Sequence, residues 1–190
     1  MIRLHPRTTT STPTTMLKRS LALLVLLASP LAAQSSAAPP MSDAQMLWEG
    51  VAAYLVQSAM DMPAEKYGFK PTPAVRSFGE IIGHVAGSQN MFCAMALGDK
   101  APAEDAVEKS ATTKDALIAA LKASNDYCRK AYTLPAASLT GMVDVFGAQR
   151  SKGYALLMNA THDNEHYGNL VTYLRMNGMV PPSSRPRAGG

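Results

Sequence analysis

The chain carries four histidines, and three of them read as one metal site. His162 and His166 stand four residues apart in ATHDNEHYGNLVTYLR, and His84 stands in FGEIIGHVAGSQNMF. Both segments are helical in pattern. A spacing of four puts two imidazoles on one helix face, about 5–6 Å apart at Cβ. A third imidazole from a facing helix completes a three-nitrogen site with a position left for water or substrate. Such a donor set suits a divalent metal ion, Zn²⁺ first and then Ni²⁺, Fe²⁺, Co²⁺ or Mn²⁺. The ion can lower the pKa of a bound water to about 7, or ionise a bound thiol.

Either chemistry calls for a base or an orienting carboxylate. Glu80, one turn before His84 on the same face, is the leading catalytic candidate. Asp163 and Glu165 adjoin the ligands in sequence but point elsewhere on a helix, as solvated surface acids. Asn169, three residues after His166, is placed to donate to that ligand. A single inward histidine is more often a hydrogen-bonded core residue than a ligand. Three together shift the balance, because each unpaired buried polar group costs on the order of 1–3 kcal/mol and a shared cation satisfies all three.

The elements that must position these residues begin after a leader. Lys18 and Arg19, an apolar run from Leu21 to Leu27 and a small-residue site ending at Ala33 have the layout of a secretory signal. That run is far short of the roughly 20 residues of a membrane anchor. Met16 is an alternative start. Residues 1–33 hold four of the 18 basic residues and none of the 14 acidic ones, so the remainder is formally neutral. No electrostatic case for nucleic acid or an anionic membrane survives cleavage. The product would be exported, periplasmic or secreted, and large enough for one domain.

Residues 34–41 read as a flexible tether and 42–182 as an all-α domain. Ser42 caps a first helix over about 43–61, with Leu47, Val51, Leu55, Ala59 and Met62 as its apolar stripe. Thr72 with Pro73 is expected to open a second helix that ends at Gly98. Phe78, Ile82, Val85, Gln89, Phe92 and Ala96 form one of its stripes, and Ile81, His84, Ser88, Met91 and Met95 another. Residues 98–112 read as a polar connection, with Thr112 and Asp115 as a capping box for a third helix over about 113–132. A small extended piece around Met142–Phe146 precedes a fourth helix over about 149–176. On it Met158, His162, His166, Leu170 and Tyr173 share a stripe. The tail 183–190 is expected to be disordered. Four long amphipathic helices make a four-helix bundle.

Cys93 and Cys128 are the two cysteines, and the residues alone admit either a disulfide or two small buried hydrophobes. Met91, Met95 and Met158 read as adaptable core filling, and Trp48 as an ordinary core aromatic. No nucleophile elbow, phosphate-binding glycine loop or CxxC motif is present. Three functions fit this pattern: a metal-dependent hydrolase or transferase acting on a small molecule, a non-catalytic metal-binding or stress-associated bundle, and a purely structural bundle.

His84, the pair His162 and His166, and the ending Gly168-Asn169-Leu170, Tyr173-Leu174-Arg175, Gly178 and Pro181-Pro182 resemble the DinB/YfiT-like superfamily of metalloenzymes. The segment Pro71–Glu80 resembles it more weakly, and the resemblance extends over about residues 43–182. It implies a bundle of up-down-down-up connectivity, with a crossover between the second and third helices. A divalent metal would be held by the three histidines near one end. Parallel second and third helices would set Cys93 and Cys128 at similar heights, which favours a disulfide. Relatives use the metal to activate low-molecular-weight thiols, a role that export makes harder to transfer. The resemblance also admits a homodimer.

Overall fold

The computed structural model describes residues 42–186. The leader and tether expected at 1–41 lie outside the described residues, as do 187–190. Within the described residues the chain is mostly helical, with five α-helices and one two-stranded antiparallel sheet. No helix among them is long and apolar enough to cross a membrane.

Helix α1 (Asp43–Asp61) begins where Ser42 accepts from the amide of Gln45. Its buried face is Trp48, Val51, Ala52, Leu55, Ser58 and Ala59, while Leu47 is 72 % exposed. The expected stripe placed Leu47 inside. Steps of four residues advance past each 3.6-residue turn, so a run built on them drifts off the core face. Helix α2 (Phe78–Leu97) starts five residues later than the Thr72–Pro73 signal suggested. Ser77 accepts from the amide of Glu80, and the Glu80 carboxylate accepts from the amide of Ser77. This reciprocal cap outcompetes the proline signal because it satisfies two free donors at once. The amides of Phe78 and Gly79 donate to the carbonyls of Phe69 and Tyr67. Gly98, at φ 86°, ends the helix as expected.

The connection after α2 is not all loop, since it contains helix α3 (Ala106–Ser110). Helix α4 (Lys114–Tyr132) is capped by Thr113 rather than Thr112. The extended piece is a hairpin, with β1 (Met142–Val145) paired to β2 (Ala148–Ser151) in the register Met142 to Ser151. Its two-residue turn, Phe146-Gly147, has positive φ at both positions. That is the hairpin-favoured turn geometry, built here without the usual Asn or Asp. Ser151 then caps α5 (Lys152–Met176), so the last helix starts three residues later than expected.

Helix α2 packs against α3, α4 and α5, and α1 packs against α4 and α5. Cys93 and Cys128 form a disulfide with Cα atoms 5.2 Å apart. Trp48 stacks on Tyr132 at 4.5 Å beside it, and the indole is fully buried. The packed chain runs beyond Pro182, where the tail was expected to lose order. Tyr167 and Ser183 exchange hydrogen bonds of 2.8 and 2.9 Å, and Arg185 pairs with Asp61.

Candidate metal centre

Helix α2 supplies His84 and helix α5 supplies His162 and His166. All three turn their Nε2 atoms toward one point. His162 Nε2 lies 3.2 Å from that of His84 and 3.1 Å from that of His166. One nitrogen from each residue falls within 4.8 Å of the others. A tetrahedral ion bonded at about 2.0–2.1 Å spaces its nitrogens about 3.3 Å apart, close to the separations found. Hydrogen bonding alone accounts poorly for the cluster. A neutral ring nitrogen offers one N–H or one lone pair, whereas His162 Nε2 faces two neighbours. The residues therefore fit a divalent cation. Asn169 Nδ2 lies 3.4 Å from His166 Nδ1, where the sequence placed it.

Burial holds the cluster neutral. It pushes His84 down to about 4 and His166 to about 3, with the Arg76 cation and the neighbouring imidazoles adding to the effect. His162 is lowered for the same first reason. Neutral imidazole is the form that binds metal. In the metal-free protein this fixes a pH dependence. The unfolded chain, with histidines near 6.5, takes up protons before the folded one does as pH falls. The stabilisation is thus complete above pH 6.5 and is lost as pH drops toward 4. We expect a loss on the order of 1–2 kcal/mol per histidine by pH 5. Melting in chelator at pH 7.5 and pH 5 measures it, and His84→Gln should flatten the slope. Equal slopes for the two proteins would contradict this reading.

The carboxylates near the histidines come from the α2–α4 connection. Glu104 Oε1 lies 3.8 Å from Nε2 of both His84 and His162, and Glu108 Oε2 lies 3.8 Å from Nδ1 of His84. Arg76 Nε donates to both oxygens of Glu108 at 3.1 and 3.3 Å. Glu80, the catalytic candidate from sequence, makes two contacts of its own. Its carboxylate closes the α2 cap and pairs with Lys70 at 2.9 Å, and these contacts lower it to about 2. The Glu104–Glu108 spacing of four, like the Gly83–Gly87 spacing around His84, was the available signal for the acids that do lie near.

Asp163 departs from expectation. It is fully buried, and its Oδ2 accepts from Trp48 Nε1 at 3.1 Å and Gln89 Nε2 at 3.0 Å. Burial raises its pKa well above the usual carboxylate range. A helix packed against two neighbours buries more than one stripe, so the residue after His162 is enclosed between α1 and α2 instead of facing solvent. Glu165 is exposed, as expected.

A cleft of about 810 Å³ opens beside His166. Lys70, Arg76, Glu80, Glu108, Asn169 and Tyr173 line it, and the segment Pro71–Val75 walls one side. That volume lies within the ordinary range for small-molecule sites.

The DinB superfamily model matches residues 40–170, and the chain belongs to that superfamily. Two solved structures have a similar fold. A DinB-like protein from Bacillus cereus is 17 % identical at a TM-score of 0.64, over 73 % of this chain and 93 % of its own. A DinB-like protein from Bacillus subtilis is also 17 % identical, at a TM-score of 0.50, over 77 % of this chain and all of its own. No curated protein matches the chain.

Proposed function

We propose that this protein is an exported, metal-dependent enzyme that holds a divalent ion, Zn²⁺ in the first instance, on His84, His162 and His166. Its chemistry would be hydrolysis or group transfer on a small molecule. The convergence of three Nε2 atoms carries this reading. When bound, the ion supplies Lewis acidity and a water or thiol ionised near neutral pH. The chain's own residues do the rest. With Nε2 on a metal, His166 Nδ1 carries the proton, so the Asn169 amide would turn its oxygen to accept it, while Glu108 faces the outer nitrogen of His84 and Arg76 holds Glu108. The cleft would seat the substrate, with the cations of Lys70 and Arg76 on its rim.

The same reading takes the scaffold as an up-down-down-up bundle of α1, α2, α4 and α5, with α3 in the crossover. Supporting it, Gly79 and Gly83 meet Leu117 while Cys93 bonds Cys128, so α2 and α4 keep step in one direction. Trp48 meets Asp163 and Tyr54 meets Tyr167, the same trend for α1 and α5. Tyr173 meets the Arg76 carbonyl while Gln89 meets Asp163, the opposite trend for α2 and α5. Export is supported by the leader and by a disulfide, which persists in oxidising compartments.

The test is a screen of the metal-loaded protein against esters, amides and thiol–electrophile pairs. Turnover abolished by chelation and restored by metal is the expected result. Tight metal binding with no turnover in either reaction class would favour the non-catalytic metal-binding reading.

A further inference from the structure

Gly83 and Gly87 flank His84 on α2, and the α2–α4 connection lies directly on them. A Cβ at Gly87 would stand 2.0 Å from the Glu104 carbonyl oxygen, and one at Gly83 would stand 2.8 Å from Glu108 Cα. Only glycine lets backbone approach a helix this closely. The approach sets two carboxylates on either side of one histidine, and the two differ in their bonding. Glu108 is held by Arg76 and faces the outer nitrogen of His84. Among the described residues Glu104 has no lysine or arginine within ion-pair distance, and its neighbours at 3.8 Å are the imidazoles. Its Oε1 lies 3.2 Å from the hydroxyl of Ser88, a fully buried residue one turn past His84.

We propose that Glu104 is a fourth protein ligand, so that the centre is three imidazoles and one carboxylate, with a fifth position left for water or substrate. The inference rests on the metal-centre reading above. At 3.8 Å from two ring nitrogens, Oε1 is too far for a hydrogen bond to either. Yet an ion bonded at about 2.1 Å to both would lie roughly 2.3–3.2 Å from this oxygen, for bond angles between about 120° and 90°. A side-chain rotation closes the remainder. One carboxylate would also neutralise half the charge of a divalent ion in a partly buried site. It would widen the acceptable metals beyond Zn²⁺ toward Mn²⁺ and Fe²⁺, which favour oxygen donors.

Titration of the metal-free protein with Co²⁺ tests this directly through its visible absorption. Glu104→Gln and Glu104→Ala are expected to weaken Co²⁺ binding at least tenfold and to shift the bands of whatever remains bound. Glu165→Gln, an exposed acid on α5, should match wild type. Metal-free melting temperatures of the Glu104 variants should stay near wild type, which separates lost ligation from lost folding. Glu104→Asp keeps the charge and should recover part of the affinity. Wild-type affinity and an unchanged spectrum in both Gln and Ala variants would overturn the assignment. Wild type that binds neither Co²⁺ nor Zn²⁺ would instead overturn the metal centre itself.

Discussion

Gly87→Ala should destabilise the protein and weaken metal binding, while Gly168→Ala should stabilise it. Both glycines are inside long helices, where alanine is intrinsically favoured by about 0.5–1 kcal/mol. Their surroundings reverse the sign for one of them. At Gly168, an exposed position of α5, an added Cβ meets nothing within 4 Å. At Gly87 it would stand 2.0 Å from a backbone oxygen, a contact no rotamer relieves. The connection carrying Glu104 and Glu108 must lift away. Overpacking of this kind costs about 1–3 kcal/mol, enough to exceed the helical gain. The lifted segment takes both carboxylates from His84, so metal affinity should fall about tenfold or more, as when groups that orient metal ligands are lost. Urea melts and metal titrations of the two variants measure this. Equal stabilisation in both would show that the connection does not rest on α2.

Replacing Cys93 and Cys128 together by alanine is expected to remove about 4 kcal/mol of stability, from the chain entropy released when a loop of this length opens. The bridge closes 35 residues of separation and ties α2 to α4 at the level of Trp48 and Tyr132. Both cysteines are fully buried, so the double alanine variant also loses packing against Ala96 and Leu156. The metal cluster, built from α2 and α5, should persist in the variant at low temperature. Chemical denaturation compares the two proteins. Stability within about 1 kcal/mol of wild type would mean that the unfolded chain gains little freedom from the cut.

The histidine triad was legible in the sequence because histidine is scarce, four in the chain, and two of them stand four apart on one face of a helical segment. The helical scaffold was legible for a similar reason, with Ser42 and Gly98 closing elements where local chemistry demanded. Competition between signals was less readable. Thr72-Pro73 and Ser77-x-x-Glu80 both announce a helix start, and the later one prevails because its cap is reciprocal and the carbonyls of Phe69 and Tyr67 take its first two amides. Asp163 escaped because one-stripe reasoning assumes one neighbour per helix. Glu104 and Glu108 escaped because their segment looks polar and irregular. Its placement depends on a contact between two glycines and a distant backbone, which periodicity does not record. The Phe146-Gly147 turn lacked the usual residue at its first position.

The central claim is that His84, His162 and His166 share one metal ion. Elemental analysis tests it most directly, on full-length protein purified without a metal-binding tag, beside His162→Ala. The account predicts close to one divalent ion per chain in the wild type and almost none in the variant. Wild type that carries no metal and takes none up on reconstitution would contradict it, leaving three buried imidazoles as a structural cluster.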